Sequence, residues 1–249
     1  MIPHIIHYCW LSGEEYPALV RQCLDSWKRI LPDWEFRLWD ASCLEEINTP
    51  YAWGAYLDHT YALACDVIRL YAVQKYGGFY LDLDVEVLKD LEPLTSLPYV
   101  FGMEHGTGGI EAAVFGSEPG NDYLQRCLDF FKDKSYLDSA GKRHIYPLPQ
   151  VMSDVMGNRL LIESINDFDR QADTTQVFPF DFFSPKNFMD SEKKGWLSCT
   201  DNTFTFHHFR VSWLPPAKKA SILVRRLLGK NRSNFLFSIW NKLRLGNHD

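Results

Sequence analysis

The chain has 249 residues, 46% of them hydrophobic and 23% charged, a composition that excludes disordered and fibrous classes and suits an ordinary folded protein. Its formal charge of -6 is uneven: residues 217–249 carry eight Lys or Arg against one Asp, formally +7, which leaves -13 on residues 1–216. A body that acidic excludes general nucleic-acid binding, which needs basic faces to displace counterions from phosphates.

Pro3 to Trp10 is an apolar, aromatic run that reads as a buried opening strand. A helix follows, with Pro17 suited to a first helical position and Val20, Cys23, Leu24, Trp27 and Leu31 at 3–4 residue spacing until Pro32 ends the pattern. Glu35 to Trp39 alternates as a second strand, so the opening is a βαβ unit and predicts a parallel sheet covered by helices. The next helix runs from Thr60 to Tyr76, its buried face traced by Leu63, Val67, Leu70, Tyr71 and Gln74, with Gly77-Gly78 as a left-handed cap. A strand from Phe79 to Leu83 follows at once. Further strands are expected at Tyr99 to Gly102 and Ala112 to Gly116, then a helix at Asp122 to Lys132. The segment containing Pro147 and Pro149 reads as irregular, and a last strand, Thr203 to Phe206, precedes His207. No repeat or linker divides this body.

Six cysteines, at 9, 23, 43, 65, 127 and 199, form no CxxC and no ligand-like cluster, which predicts reduced, mostly buried thiols. MIPHIIHYCW lacks a basic n-region and a small-residue cleavage site, and no run reaches the ~18 apolar residues of a membrane span. The expected location is cytoplasmic.

The most informative segment is GGFYLDLDVEV at 77–87, where an apolar strand runs into Asp82-Leu83-Asp84. On an extended chain, carboxylates two apart face the same way, and strand ends in open α/β sheets are where ligands gather. Two like charges held together are costly unless a cation joins them. Mn²⁺ or Mg²⁺ would resolve the repulsion and leave open positions for a diphosphate. Three readings remain open on these residues: a metal–diphosphate enzyme, a haloacid-dehalogenase-like phosphatase with the first Asp as nucleophile, and a non-catalytic nucleotide-sugar or glycan binding protein. The phosphatase pattern favours Thr or Val where this chain has Glu86, and the motif here follows a complete βαβ unit.

Four segments together resemble glycosyltransferase family 32, the DXD-containing sugar transferases of bacterial capsule and lipopolysaccharide synthesis and of fungal α-mannosylation. They are IPHIIHYCW (2–10), SWKRILPDWEFRLWD (26–40), YALACDVIRLYAVQKYGGFYLDLDVEVLKDLEPL (61–94) and HHFRVSW (207–213). The resemblance implies a GT-A-type α/β catalytic domain over 1–216, with a central, mostly parallel sheet flanked by helices. It also implies retention of anomeric configuration. The implied donor is a nucleotide sugar, a UDP-sugar by preference over GDP-mannose, supplying a hexose or N-acetylhexosamine. The implied acceptor is a glycan or polyprenyl-diphosphate-linked oligosaccharide in capsule, O-antigen or exopolysaccharide synthesis.

Carried over by position, the resemblance implies that Asp84, Asp82 and His207 hold the metal. Asp66 and Arg69, with Asp82, contact the donor, and Trp10 stacks on its nucleobase. Read as residues alone, Asp66 and Arg69 could equally be a surface helical ion pair. Trp10 could be core, and His207, with His208 beside it, a structural histidine. HGTGGIE at 105–111 should border the acceptor, which makes Glu104, His105 and Glu111 acceptor-side candidates.

The eight bases of the tail are mixed with Ile222, Leu223, Val224, Leu227, Leu228, Phe235, Leu236, Phe237, Ile239, Trp240, Leu243 and Leu245. That is the composition of an interfacial helix pair, and 217–245 is expected to dock on an anionic inner membrane face or else to pack on the body.

Overall fold

The computed structural model describes residues 1–210, so the tail at 217–249, and Ser212 and Trp213 of the late motif, lie outside the described residues. In chain order the elements are β1 (Ile5–Cys9), α1 (Ala18–Ile30), β2 (Glu35–Trp39), α2 (Leu44–Ile47), α3 (Pro50–Leu57) and α4 (Tyr61–Tyr76). Next come β3 (Gly78–Leu81), β4 (Val85–Val87), α5 (Glu92–Thr95), β5 (Tyr99–Val100), β6 (Val114–Ser117) and α6 (Asp122–Lys132). They are followed by α7 (Leu148–Met156), β7 (Arg159–Leu161), β8 (Thr175–Val177), α8 (Glu192–Leu197) and β9 (Thr205–His207).

Five strands form the central sheet in the order β2-β1-β3-β6-β5. The βαβ expectation holds, since β2, β1 and β3 are parallel. The remaining pairings, β3 with β6 and β6 with β5, are antiparallel, so the sheet is mixed rather than mostly parallel. Alternation along β3 divides the core into two layers. Tyr80 packs with Phe115 under α3, α4, α6 and α7, while Phe79 and Leu81 pack on the opposite face with Trp27 of α1. Helices thus cover both faces, the α/β class expected from sequence.

α4 departs from its predicted amphipathicity. Every residue from Leu63 to Leu70 is buried, because the sheet lies beneath it while α3 and α6 cover its other sides. A helix apolar nearly all round has no single stripe to read. It carries Asp66 and Arg69 into the interior, so the surface ion-pair reading does not apply.

α4 meets β3 through Gly77 (φ +65°) and Gly78 (φ +94°). A Cβ on Gly78 would stand 2.6 Å from the Ile5 carbonyl oxygen, and one on Gly77 would stand 2.7 Å from Pro119. The double glycine therefore lets β3 start directly against β1. α7, expected to be irregular, is a helix because Pro149 falls in its first turn, where no N–H is required. α3 was not legible either, although Thr49 caps it by accepting from the Ala52 N–H and Pro50 opens it. All six cysteines are free, four of them buried.

Candidate functional site

β3 ends at Leu81, one residue before the carboxylate pair. Asp82-Leu83-Asp84 is not the continuous strand expected: the Val85 N–H donates to the Asp82 carbonyl at 2.9 Å and closes a turn between β3 and β4. The two carboxylates converge through that turn rather than through strand pleating. Antiparallel pairing of β4 with β9 puts Val85 opposite His207, which brings the late histidine beside Asp84. One ligand atom each from Asp82, Asp84 and His207 lies within 4.8 Å of the others. Two carboxylates and an imidazole, all at least half-buried, fit a divalent cation.

Each member is held from behind. Asp82 takes two contacts from Arg69, Nη1 to Oδ2 and Nη2 to Oδ1, both at 3.2 Å, and its Oδ1 also accepts from the Tyr80 hydroxyl at 2.8 Å. Arg69 Nη2 reaches Asp66 Oδ1 at 3.2 Å, Nη1 donates to the Ala112 carbonyl at 2.7 Å, and the guanidinium lies 4.6 Å from the centre of the Tyr80 ring. Sequence reasoning missed Tyr80, whose signal was its place in β3 two residues before Asp82. Burial pushes the Asp66 carboxyl up to about 7, against the pull of Arg69 and with help from the Asp82 charge.

Asp84 Oδ1 faces His207 Nε2 at 3.4 Å, and its Oδ2 accepts from the Arg210 backbone N–H at 2.6 Å. Burial would raise the Asp84 carboxyl, but His207 and these hydrogen bonds hold it below the usual range. For His207, burial favours the neutral ring, yet Asp84, Glu111 and Asp82 outweigh it and hold the imidazole at about 9. The ring also stacks on Phe209 at 3.9 Å.

The remaining sequence candidates separate. Glu111 is 2% exposed, and its Oε1 accepts from the Ala113 N–H at 2.8 Å and lies 3.8 Å from His207 Nδ1. Glu104 is half-buried, accepts from the Thr107 hydroxyl, and is raised by burial and by the Glu111 charge. His105 is turned away, stacked on Phe180 at 3.9 Å with Nδ1 against the Pro185 carbonyl at 2.7 Å, which ties its loop to the 180–187 segment. Trp10 leaves β1 at the same sheet end as Asp82, as the pairing of His7 with Tyr80 requires. Its indole donates to the Glu14 carbonyl at 2.7 Å and meets the Tyr16 ring edge-on.

The neighbouring His208 belongs to a different group. Its Nδ1 lies 3.0 Å from Glu192 and its Nε2 3.2 Å from Glu86, while the buried Lys186 ammonium contacts Glu192 and donates to the His208 carbonyl at 2.6 Å. The His208 N–H donates to the Asp84 carbonyl at 2.9 Å, so this network anchors β9 against the Asp82–Asp84 turn. Sequence alone could not separate the two histidines, whereas the structure puts only His207 with the carboxylate pair.

Residues 17–100, from the start of α1 to the end of β5, match the family described as "Glycosyltransferase sugar-binding region containing DXD motif". The chain is 35% identical over 130 residues to inositol phosphoceramide mannosyltransferase 3 of Schizosaccharomyces pombe, covering 49% of this chain and 35% of that protein. It is 30% identical over 139 residues to the mannosyl phosphorylinositol ceramide synthase SUR1 of Saccharomyces cerevisiae, covering 53% and 35%. The chain thus spans about a third of the length of these fungal relatives. A likeness running nearly end to end, at 23% identity over 89% of this chain and 88% of the other, is to the uncharacterized glycosyltransferase L373 of Acanthamoeba polyphaga mimivirus. Among solved structures, the PaToxG glycosyltransferase aligns with TM-score 0.46 and 18% identity over 62% of this chain and 68% of that one.

Proposed function

With residues 17–100 belonging to the DXD-containing glycosyltransferase sugar-binding family, we propose that this chain is a metal-dependent glycosyltransferase using a nucleotide diphosphate sugar. The observation that carries the reading is the convergence of Asp82, Asp84 and His207 at the end of β3, the two aspartates lying within the segment 17–100 that the family match covers. A divalent cation held there would act as a Lewis acid toward the leaving diphosphate. The imidazole in the donor set favours Mn²⁺ over Mg²⁺, which prefers oxygen ligands and bound water.

In this reading Arg69 orients Asp82, and Asp66, whose carboxyl is pushed up to about 7, offers the donor sugar a hydrogen-bonding group inside a buried wall. Trp10 borders the base end of the donor site and Glu104 its acceptor side. Retention of anomeric configuration is part of the proposal. The sequence resemblance suggests bacterial surface-glycan synthesis, whereas the named fungal relatives act on an inositol phosphoceramide. Both settings present the acceptor on a lipid carrier, so the proposed acceptor is a lipid-linked saccharide met at the inner membrane face, with the basic 217–245 segment as the proposed contact. No helix among the described residues is long and apolar enough to cross a membrane.

The phosphatase reading is disfavoured because its pattern favours Thr or Val where this chain has Glu86, and because the motif here follows a complete βαβ unit. The test is nucleotide release from UDP-glucose, UDP-galactose, UDP-N-acetylhexosamines and GDP-mannose, with Mn²⁺ or EDTA. Release of one nucleoside diphosphate that EDTA abolishes supports the proposal and names the donor. Inorganic phosphate release from phosphate esters, or no turnover with Mn²⁺ and lipid-linked acceptors, overturns it.

A further inference from the structure

Three buried side-chain polar atoms lack a hydrogen-bond partner among the described residues, and two of them are Glu111 Oε2 and His207 Nδ1. They sit on facing side chains, since His207 Nδ1 is 3.8 Å from Glu111 Oε1. An unsatisfied buried acceptor and an unsatisfied buried ring nitrogen each cost free energy, and a shift of about 1 Å would bring Nδ1 into a charge-assisted hydrogen bond with the Glu111 carboxylate at Oε1. The opposite ring nitrogen, Nε2, is the one that faces Asp84.

Glu111 is placed to do this by the strand geometry. β6 pairs antiparallel with β3, the Asp82 N–H donates to the Ala113 carbonyl, and the chain before β6 therefore runs back alongside the Asp82–Asp84 turn. The Ala113 N–H fixes one Glu111 oxygen at 2.8 Å. At 2% exposure the side chain does not open onto an acceptor, in contrast to the half-buried Glu104. The other face of the imidazole is closed by Phe209, whose positive φ of 51° brings its ring onto His207.

We propose that Glu111 is the positioning residue of the metal site, accepting the Nδ1 proton of His207 so that Nε2 is fixed toward Asp82 and Asp84. This rests on the metal-site reading given above. An imidazole that gives Nε2 to a cation carries its proton on Nδ1, and a carboxylate there orients the ring and raises its basicity.

The experiment is Mn²⁺ titration by electron paramagnetic resonance, with ¹⁴N modulation measured on the bound ion, in wild type, Glu111→Gln, Glu111→Asp and His207→Ala. Gln keeps the volume and the oxygen that accepts from Ala113, whereas Asp keeps the charge but withdraws it by one methylene. Thermal melting checks that each is folded, and either variant alone suffices to read the result. The expected outcome is ¹⁴N coupling in wild type that is absent from His207→Ala and weakened in both Glu111 variants, with Mn²⁺ bound roughly 10–100-fold more weakly. Wild-type affinity and full ¹⁴N coupling in Glu111→Gln and Glu111→Asp would overturn the inference and leave the metal site standing. Mn²⁺ bound to wild type without ¹⁴N coupling would overturn it together with the role of His207.

Discussion

Arg69 grips Asp82 with both terminal nitrogens, Nη1 to Oδ2 and Nη2 to Oδ1, each at 3.2 Å, from a helix position that is itself 5% exposed. The same guanidinium reaches Asp66, so one cation serves two carboxylates of unequal character. Asp66, raised to about 7 by burial, tolerates neutrality, whereas Asp82 depends on the arginine for its orientation. Arg69→Met should destabilise the fold by about 3–5 kcal/mol in urea denaturation, because it strands buried carboxylates. Asp66→Asn should cost far less stability at neutral pH while still lowering nucleotide release. Equal destabilisation by the two changes would contradict this division of roles.

His207 makes stability fall with pH. Burial favours its neutral form, but Asp84, Glu111 and Asp82 more than reverse this and lift it to about 9. A raised folded-state value gives stabilisation fully present below the unfolded value of ~6.5 and lost as pH climbs through the folded one. Asp66, also raised, tilts the curve the same way at lower pH, since its stabilisation fades between ~4, the unfolded value, and about 7. The metal-free protein should therefore melt progressively lower from pH 6.5 to 9, and His207→Gln should flatten that interval. Mn²⁺ must displace the His207 proton, so its apparent affinity should rise about tenfold per pH unit across the lower part of the same range and level off as pH approaches 9.

Gly78→Ala tests how β3 is seated. The added Cβ would meet the Ile5 carbonyl at 2.6 Å at a φ of +94°, with backbone atoms that have nowhere to go. A loss of roughly 2–4 kcal/mol is expected from strain plus the opened β1–β3 pairing, read from the urea midpoint. Gly141→Ala, where the new Cβ meets nothing within 4 Å, should cost only the positive-φ term of about 1 kcal/mol.

Lys186 is fully buried, joined to Glu192 and to the His208 carbonyl, and lies under Gly195 of α8. Lys186→Met should destabilise by about 1–3 kcal/mol, chiefly by leaving the buried His208 carbonyl without its donor, since Glu192 is half-exposed. Because the His208 N–H also holds the Asp84 carbonyl, the same variant should weaken Mn²⁺ binding through loss of the Lys186 bond to the His208 carbonyl. Unchanged Mn²⁺ affinity in the folded variant would show that the network supports the fold alone.

The parts of the fold legible in sequence were those with one period and clear punctuation: β1, α1, β2 and α6, whose apolar spacing ends at prolines or begins at a cap such as Asn121. α4 blurred because a helix covered on all sides shows no stripe. α7 was hidden by prolines that belong to helix starts, and β4, β7 and β8 are three-residue strands too short for alternation to register. In the site, the Asp82–Asp84 pair was legible from local spacing, whereas Asp66–Arg69 stood out only through the family resemblance, since spacing alone fitted a surface ion pair equally well. Tyr80, the bracing of Asp82 by Arg69, and the different surroundings of His207 and His208 depend on contacts between distant segments, which no local pattern encodes.

The most direct test of the central claim is Mn²⁺-dependent nucleotide release from the preferred donor by wild type and Asp84→Asn side by side. Asp84 lies in a turn and can exchange one oxygen for an amide without changing volume. The account predicts a loss of at least about 100-fold, near 3 kcal/mol of transition-state stabilisation, in a variant that still folds. Turnover within about twofold of wild type, on that scale a few tenths of a kcal/mol, would contradict it.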